Sequence, residues 1–244
     1  MKVVCTIEAR MNSTRLPGKV LMKSCGETML GHLTKRLKRV KSLDCIVLAT
    51  TFNKSDNILE EFANEFNIEC FRGSEDNVLN RVLNAAETHN ADVIVEITAD
   101  CPLIDPDLIE KAINIFKNYN VDYVSNCNIR SYPDGMDVQV FSTKALKKSS
   151  FMTTSDLEKE HVTLHIRNNP NMFKIFDMVA PESHFWPDLG LTLDEINDYK
   201  LLDVIISNFN KSKEHFNCLD IINFLKDNPD LIEINQNVSR RGDN

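Results

Sequence analysis

The sequence has no surplus of positive charge, no paired-cysteine motif and no long apolar segment, and each absence excludes a class of protein. Its formal net charge is -8 at pH 7, which argues against non-specific binding to nucleic acid or to anionic membranes. The seven cysteines are odd in number and form no CxxC pair, so we expect reduced thiols in a cytoplasmic protein. No apolar stretch approaches the ~18 residues of a membrane-spanning helix, and the apolar start is too short for a signal peptide.

Two common phosphate-binding motifs are also missing. The chain has only seven glycines, and neither GxxxxGK[ST] nor GxGxxG occurs. An acidic protein that binds a polyanion must therefore gather its basic residues at one place. The segment 9–19 is such a place.

Short apolar runs alternate with stretches of helical spacing along the first half of the chain. We expect strands at 3–7, 45–50, 68–71, 93–97 and 122–125, and helices at 29–40, 56–66, 77–88 and 107–118. This order predicts one α/β domain over residues 1–244, with a mostly parallel mixed sheet and helices on both faces. In such sheets ligands bind beyond the carboxyl ends of the strands, so the loops there should form one cleft. These loops cover residues 9–19, 51–56, 72–77 and 99–106.

The second half of the chain is less regular. We expect strands at 139–141 and 173–179, a polar helical stretch at 155–168 between them, and helices at 198–208 and 219–226. The region 126–182 is interpreted as an excursion from the sheet that covers an acceptor or builds a dimer contact. The final residues, 239–244, are expected to be mobile.

The loop that follows the first strand combines three cations with two hydroxyls. Arg10, Arg15 and Lys19 supply charge, and Ser13 and Thr14 supply hydroxyl groups. Cations and loop donors together suit a triphosphate. A solvated basic turn is the alternative, but a position directly after a core strand favours phosphate binding.

The segment ARMNSTRLPGKVL resembles the opening motif of CMP-sugar synthetases, most closely that of the spore coat polysaccharide biosynthesis protein F group of cytidylyltransferases. The resemblance continues in the same order through FRGSEDNVLNR, ITADCPLIDP, DGMDVQVF, EKEHVT and LTLDEINDYKLL, over most of the chain. Relatives of this group activate 3-deoxy-manno-octulosonate and sialic acid. The resemblance implies a Rossmann-like nucleotidyltransferase fold of the glycosyltransferase-A type, often as a homodimer.

The resemblance also implies a nucleotide-binding set. It assigns the triphosphate to Arg10, Ser13, Arg15 and Lys19, with Arg10 and Lys19 also catalytic. The other expected nucleotide contacts are Ala9, Thr51, Arg72, Ser74 and Arg81. For Arg81, a surface arginine is the alternative.

Two aspartates match the metal-binding aspartates of this family. Asp100 directly follows the fourth expected strand, and Asp194 stands where a short apolar run meets a helix start. Magnesium prefers one or two carboxylates plus phosphate oxygens and water, so we expect Asp100 and Asp194 to bind Mg²⁺ and to be catalytic. The alternative for Asp194 is an N-cap, and Asp105 is interpreted as a cap before Pro106.

The acceptor is expected at Asp134, Asp137, Glu160 and His161, which fall where the family binds it. For Asp134 an ordinary Pro-Asp-Gly turn is the alternative. The Glu160–His161 pair can act as acid or base, hold an acceptor hydroxyl, or be structural.

Glu8 and Asn12 stand where glutamine and glycine are expected in this group. Glu8 places a possible negative charge at the end of a buried strand, so it needs a cationic partner or a raised pKa. Arg10 and Lys19 are the candidate partners.

The predicted reaction is in-line attack by an acceptor oxygen on the α-phosphate of CTP, with release of pyrophosphate and no covalent enzyme intermediate. The expected acceptor is an acidic sugar or a phosphorylated or phosphonate compound of surface polysaccharide or glycan biosynthesis. One alternative is a nucleotide-sugar-dependent glycosyltransferase, although ADCP lacks the spacing of a DxD metal motif. The other is a non-catalytic nucleotide-binding protein.

Overall fold

The computed structural model of the protein describes residues 1–212 and 215–239. The tail expected to be mobile therefore lies outside the described residues, apart from Ser239. The strands are β1 (Val3–Glu8), β2 (Lys23–Ser24), β3 (Glu27–Thr28), β4 (Cys45–Thr51), β5 (Glu69–Gly73), β6 (Val93–Thr98), β7 (Tyr123–Ser125), β8 (Gln139–Ser142) and β9 (Ile175–Asp177). The helices are α1 (Met29–Leu37), α2 (Asn57–Glu65), α3 (Val78–Thr88), α4 (Pro106–Asn118), α5 (Thr143–Met152), α6 (Asp156–Glu160), α7 (Leu164–Asn168), α8 (Ile196–Ser212) and α9 (Cys218–Asp227).

Seven strands form the central sheet in the order β5-β4-β1-β6-β8-β7-β9. Strands β5, β4, β1 and β6 run parallel to one another. Strand β8 is antiparallel to both of its neighbours, and β9 is parallel to β7. The prediction of a mostly parallel mixed sheet is therefore confirmed.

Both faces of the sheet are covered by helices. Successive side chains of a strand point to opposite faces, and β1 illustrates the result. Its Val3, Cys5 and Ile7 pack in the core formed with α1, α2, α4, α8 and α9. Its Val4 packs in the core formed with α3, α5 and α7. A strand buried on both faces is what a sheet between two helical layers requires.

The start of α4 is fixed by the cap expected from the sequence. Asp105 accepts a hydrogen bond from the backbone N–H of Asp107 at 2.9 Å, and Pro106 occupies the first helical turn. The second carboxylate oxygen of Asp105 accepts from the backbone N–H of Cys218 at 2.9 Å. One buried carboxylate thus joins the beginnings of α4 and α9.

The region 126–182 is less separate from the sheet than expected. Strand β8 lies inside the sheet between β6 and β7, and β9 forms its edge. In this central position, the neighbouring residues Val140 and Phe141 of β8 are both fully buried, one in each core. The parts that leave the sheet are the segment 126–138 and helices α5 to α7.

Two local predictions in this region need correction. Helix α5 was not expected, because its polar sequence buries only Ala145, Leu146 and Ser149. The helical stretch predicted at 155–168 is two short helices, because the backbone leaves helical geometry at His161 (φ -100, ψ 77).

Two further expectations concern the whole chain. Among the helices described here, none combines the length and apolar character needed to cross a bilayer. All seven cysteines are free thiols, as expected from their number and spacing.

Candidate active site

Lys19 brings together the loop after β1 and the two aspartates predicted to bind metal. Its Nζ atom lies 3.3 Å from Oδ2 of Asp100 and 3.0 Å from Oδ1 of Asp194. Arg15 from the same loop contacts Oδ1 of Asp194 at 2.8 Å. The Lys19 side chain is only 11% exposed. Three segments distant in sequence therefore meet beyond the carboxyl ends of β1 and β6.

The charges in this cluster stabilise one another. Burial alone would lower the pKa of Lys19, but the carboxylates of Asp100 and Asp194 outweigh it and raise that pKa. Burial would likewise raise the pKa of Asp100, but Lys19 and the Thr98 hydroxyl outweigh it and lower that pKa. Lys19 and Asp100 are thus both charged at neutral pH.

The position of Asp194 depends on its backbone. The N–H of the preceding Leu193 donates to the carbonyl of Asp100 at 2.8 Å. The backbone N–H groups of Asp194 and Glu195 donate to the buried carboxylate of Asp198, at 3.1 and 2.9 Å. The carboxylate that binds N–H groups at the start of α8 is therefore that of Asp198, whereas that of Asp194 turns to Lys19 and Arg15.

The loop 9–19 is held by hydrogen bonds within its own backbone and by a hydrogen bond to Asp56. The carbonyl of Met11 accepts from the N–H groups of Ser13 at 3.0 Å and Gly18 at 2.9 Å, and the positive φ of Gly18 (72°) allows this turn. The buried Asp56 accepts from the Met11 N–H at 2.8 Å and from the Thr51 hydroxyl. Sequence reasoning missed Asp56, which links the first two loops of the cleft.

Glu75, in the loop 72–77, connects this loop to the loops 9–19 and 51–56. It accepts from Arg10 at 3.1 Å and from the Asn53 side chain at 2.7 Å. Arg72, predicted to contact cytidine, donates to the backbone carbonyls of Thr51 at 2.9 Å and Asn53 at 2.8 Å. The guanidinium of Arg72 thus fixes the loop after β4, and the Thr51 side chain is fully buried beneath it.

Arg81 is a buried residue and not a surface arginine. Its exposed fraction is 4%, and it donates to the backbone carbonyls of Ser74 and Glu75. The Ser74 hydroxyl accepts from the Asn77 N–H at 3.2 Å. Arg81 and Ser74 thus shape the loop after β5, and their direct contact with a nucleotide stays a prediction.

Glu8 does not pair with either of its candidate partners, Arg10 and Lys19. Both of its carboxyl oxygens are buried, and neither has a hydrogen-bond partner among the described residues. Burial and the nearby Glu96 raise the pKa of Glu8 well above its usual value, and the neighbouring Thr6 hydroxyl and Arg81 offset this only partly. Burial also raises the pKa of Glu96 to about 7. The raised pKa, the second of the two expected outcomes, is the one that holds.

Arg130 organises the segment predicted to bind the acceptor, and sequence reasoning missed it. It lies 2.9 Å from Asp137 and 3.2 Å from Asp134. Burial raises the pKa of Asp137 to about 6, opposed by Arg130 and reinforced by Asp134 and Asp100. Backbone hydrogen bonds from Leu191 to Asp134 and from Leu193 to Asp100 place this acid cluster next to the Lys19 cluster. An arginine three residues before the Pro-Asp-Gly motif was the available signal.

Backbone contacts set the segment of Asp134 against the one that carries Asp194. The N–H of Asp134 donates to Leu189 at 2.9 Å, and the N–H of Leu191 donates to Asp134 at 2.7 Å. Gly135 has φ +99, and a Cβ atom there would lie 2.6 Å from the carbonyl carbon of Leu191. Glycine at this position permits the close approach of the two segments.

Glu160 and His161 are both exposed and lie at the break between α6 and α7. Their contact with an acceptor stays a prediction. Ala9, the remaining predicted nucleotide contact, is buried at the end of β1, where its N–H donates to Ala49 at 3.4 Å. Any contact from Ala9 to a nucleotide would therefore come from its backbone carbonyl.

The carboxylates of Asp100 and Asp194 suit a hard divalent cation. They already converge on one cationic group, Lys19 Nζ. No group of three or more His, Cys, Asp or Glu that could hold a metal occurs in the part of the chain that the structure describes. Two carboxylates that leave the remaining positions to phosphate and water fit Mg²⁺ better than a protein-enclosed zinc site.

A Rossmann-like sheet with a cationic loop and two aspartates at its carboxyl-end cleft is the framework of a nucleotidyltransferase. A sequence profile described as cytidylyltransferase matches residues 4–222 of this chain. The chain therefore belongs to the cytidylyltransferase family, within the nucleotidyltransferase class of enzymes.

Similar proteins span nearly the whole chain. An uncharacterised protein of Methanocaldococcus jannaschii is 39% identical over 246 residues, which cover 99% of this chain and 97% of that protein. The spore coat polysaccharide biosynthesis protein SpsF of Bacillus subtilis is 32% identical over 233 residues, with 93% and 95% covered. The structure of a cytidylyltransferase from Leptospira borgpetersenii is 35% identical, covers 98% of this chain and 99% of its own, and gives a TM-score of 0.91. Membership in the cytidylyltransferase family supports CMP transfer and argues against the glycosyltransferase alternative.

Proposed function

We propose that this protein transfers CMP from CTP to an acidic sugar, or to a phosphorylated or phosphonate acceptor, and releases pyrophosphate. The product would serve surface polysaccharide or glycan biosynthesis. The observation that carries this proposal is the position of Lys19, which contacts both Asp100 and Asp194 in the cleft. The similarity to the spore coat polysaccharide protein supports the choice of pathway class.

The nucleotide would lie along the loops that Glu75 and Asp56 tie together. Arg10, Arg15 and Lys19 would neutralise the triphosphate, and N–H groups of the loop 9–19 would bind its oxygens. When a triphosphate enters, its oxygens replace the two aspartates as partners of Lys19. Asp100 and Asp194 would then hold Mg²⁺, which supplies charge neutralisation at the phosphates when bound.

The transfer of CMP would depend on the position of the acceptor oxygen relative to the α-phosphate of CTP. An acceptor oxygen held near Asp134 and Asp137 would attack the α-phosphate, and pyrophosphate would leave on the opposite side. Lys19 and Arg15 would stabilise the negative charge that develops on the leaving group. Because the acceptor oxygen is itself the nucleophile, no side chain of the protein forms a covalent bond during the reaction.

We also infer a homodimer in the cytoplasm. Helix α5 and the segment that follows it expose Phe151 (80%), Met152 (39%) and Leu157 (58%), all within the region 126–182. Exposed apolar side chains grouped in this way are typical of protein interfaces. The free cysteines fit a reducing compartment.

A pyrophosphate-release screen with Mg²⁺ tests the reaction. CTP, UTP and ATP are each combined with 3-deoxy-manno-octulosonate, N-acetylneuraminate and 2-aminoethylphosphonate. We expect release from CTP with at least one acceptor, and its loss in the variant Asp100→Asn but not in the exposed control Asp227→Asn. Tight CTP binding without turnover across the panel would favour the non-catalytic alternative, and absence of CTP binding would refute the proposal.

A further inference from the structure

The hairpin formed by β2 and β3 is bonded to one face of α8. Three consecutive residues of the hairpin each contact a different residue of this helix, at distances of 2.7, 2.6 and 3.4 Å. The contacting pairs are Lys23–Tyr199, Ser24–Asp203 and Cys25–Ser207. The three helix residues are spaced four positions apart, and residues at this spacing share one face of a helix. The hairpin is therefore held along about two turns of α8.

The contact between Ser24 and Asp203 is the most buried of the three. Ser24 is 1% exposed, and its hydroxyl donates to Oδ1 of Asp203 at 2.6 Å, a distance typical of a hydroxyl bound to an ionised carboxylate. The carbonyl oxygen of Ser24 lies 2.9 Å from Nε2 of His32 on α1. The backbone and the side chain of Ser24 are thus both fixed, and Asp203 is the residue by which α8 holds the buried part of the hairpin.

The hairpin is continuous with the turn that carries Lys19. Lys19 begins a 3₁₀ turn that ends at Leu21, and its carbonyl accepts from the N–H of Met22 at 3.1 Å. The carbonyl of Met22 accepts from the N–H of Met29, at the other end of the hairpin, at 2.8 Å. Val20, inside the turn, is 2% exposed and packs in the core to which α1 and α8 contribute. The position of the hairpin therefore determines where the side chain of Lys19 starts.

Helix α8 determines the position of Asp194 in the same way. The backbone N–H of Asp194 donates to the carboxylate of Asp198, a fully buried residue in the first turn of the helix, at 3.1 Å. Lys19 and Asp194 are therefore connected twice, directly by their ion pair of 3.0 Å and indirectly through the hairpin and α8. The direct contact joins the beginnings of the segments 19–25 and 194–207, and the hairpin contacts join the later parts of the same segments.

The indirect connection becomes important when a nucleotide is bound. In the proposed function the oxygens of a triphosphate replace the aspartates as partners of Lys19, so the direct ion pair is lost. The contacts between the hairpin and α8 persist, because none of them involves the side chain of Lys19 or of Asp194. A cluster whose members are already held in place binds its ligand without the cost of ordering them.

We propose that Asp203 is a positioning residue for the nucleotide site. By binding Ser24, it holds Lys19 and Asp194 in the arrangement that binds CTP together with Mg²⁺. This inference rests on the proposed function and adds to it a residue outside the cleft. Asp203 acts through the hairpin and does not contact the nucleotide.

The first test measures CTP binding in the presence of Mg²⁺ by calorimetry, with full-length protein at a temperature at which every variant is folded. We expect Asp203→Ala and Ser24→Ala each to weaken binding by about 10-fold, on the order of one hydrogen bond to a charged group. The double variant should lose no more than either single variant, because both changes remove the same bond.

Two further variants separate the hydrogen bond from the loss of charge. Asp203→Asn should bind CTP with nearly wild-type affinity, because its amide oxygen can still accept from the Ser24 hydroxyl. Asp227→Ala removes a carboxylate from an exposed position at the end of α9, and its affinity should equal that of the wild type.

The second test needs no nucleotide. Lys19→Met removes the cation between two carboxylates and should destabilise the protein. If Asp203 holds Lys19 against Asp194, Lys19→Met should destabilise the Asp203→Ala protein less than it destabilises the wild type, because the ion pair is already weakened there. Urea unfolding of the wild type, the two single variants and the double variant measures this coupling.

The outcomes distinguish this inference from the proposed function. Unchanged CTP affinity in Asp203→Ala, an equal loss in Asp203→Asn, or additive effects of Lys19→Met and Asp203→Ala on unfolding would each overturn the positioning role. Failure of the wild type to bind CTP would instead refute the proposed function, and the unfolding comparison alone would then decide whether Asp203 positions Lys19.

Discussion

Nζ of Lys19 and Oδ1 of Asp194 lie 3.0 Å apart, although 175 positions separate the two residues in the chain. Lys19 follows the first strand of the sheet, and Asp194 precedes α8. The pair thus closes the cleft by joining the beginning of the chain to its last third. Because Asp100 contacts the same Nζ atom, the three residues form one electrostatic unit, and loss of any member changes the charge that the others experience.

The variants Asp100→Asn and Asp194→Asn should each lose at least ~100-fold in kcat, the value of a preorganised electrostatic contact. Either change removes a carboxylate from the expected Mg²⁺ site and leaves Lys19 with one acidic partner. The melting temperature should fall only slightly, because the other aspartate still pairs with Lys19. Steady-state pyrophosphate release and thermal unfolding measure the two effects.

Asp227→Asn is the matched control for these variants, since it changes an exposed aspartate at the end of α9. It should keep wild-type kcat. Retention of more than a tenth of the wild-type rate by Asp100→Asn would contradict the assignment of this residue.

Stability should fall as pH rises, because of the buried Glu96. Its pKa of about 7 in the folded protein exceeds the ordinary value of 4.5, so the folded state binds more protons than the unfolded state between these values. The free energy of unfolding therefore decreases with rising pH across this window. Glu96→Gln should be more stable than the wild type by about 1–3 kcal/mol at pH 8, with the difference fading at pH 5.

Glu8→Gln should change stability in the same direction, because the pKa of Glu8 is raised by burial and by Glu96. Urea unfolding at pH 5 and pH 8 measures both variants. Glu61→Gln is the control, since Glu61 is exposed on α2, and its effect should be small at both pH values. A wild type more stable than Glu96→Gln at pH 8 would show that the sign is wrong.

Gly135→Ala should destabilise the protein more than Gly26→Ala. Both glycines have positive φ, +99 and +83, so both substitutions strain the backbone. A Cβ atom at Gly135 would also meet the backbone of Leu191 at 2.6 Å, whereas none of the atoms considered lies within 4 Å at Gly26. We expect about 1 kcal/mol for Gly26→Ala and at least about 2 kcal/mol for Gly135→Ala. Equal losses in urea unfolding would contradict the close packing of these segments.

The double variant Phe151→Ser with Leu157→Ser should convert the expected dimer to a monomer. Both side chains are exposed in the isolated chain, so removing them from solvent can only stabilise an assembly. Light scattering at micromolar concentration measures the mass of the wild type and the variant. A wild type that is already monomeric there would count against the dimer.

The sequence was sufficient to predict the layered architecture. Strands such as Val3–Glu8 and Val93–Thr98 consist mostly of apolar residues, and the helices between them carry their apolar residues on one side, so local pattern and tertiary position agree. Asp100 and Asp105 were also accessible, because a residue directly after a buried strand or before a helix has a defined position. The role of Asp194 needed the resemblance, since a carboxylate before a helix also suits a cap.

What the sequence did not reveal depends on long-range contacts. Asp56 and Glu75 look like surface acids in sequence, and only the fold shows that they join neighbouring loops. The insertion of β8 between β6 and β7 is a property of topology, which hydrophobic pattern does not encode. For Glu8 the sequence left two alternatives, a cationic partner or a raised pKa. The alternation of side chains in β1 directs Glu8 to the face of Arg81 and Glu96, and the raised pKa is the outcome.

The carboxylate of Asp105 has a consequence for the far end of the protein. Since it bonds the first turn of α4 with one oxygen and Cys218 of α9 with the other, a chain cut short before α9 would leave a buried oxygen without its donor. The segment from Asp100 to Asp105 would become less well ordered, and this segment contains an aspartate that is expected to be catalytic. Helix α9 thus stabilises the turn that carries Asp100, and its removal should lower kcat.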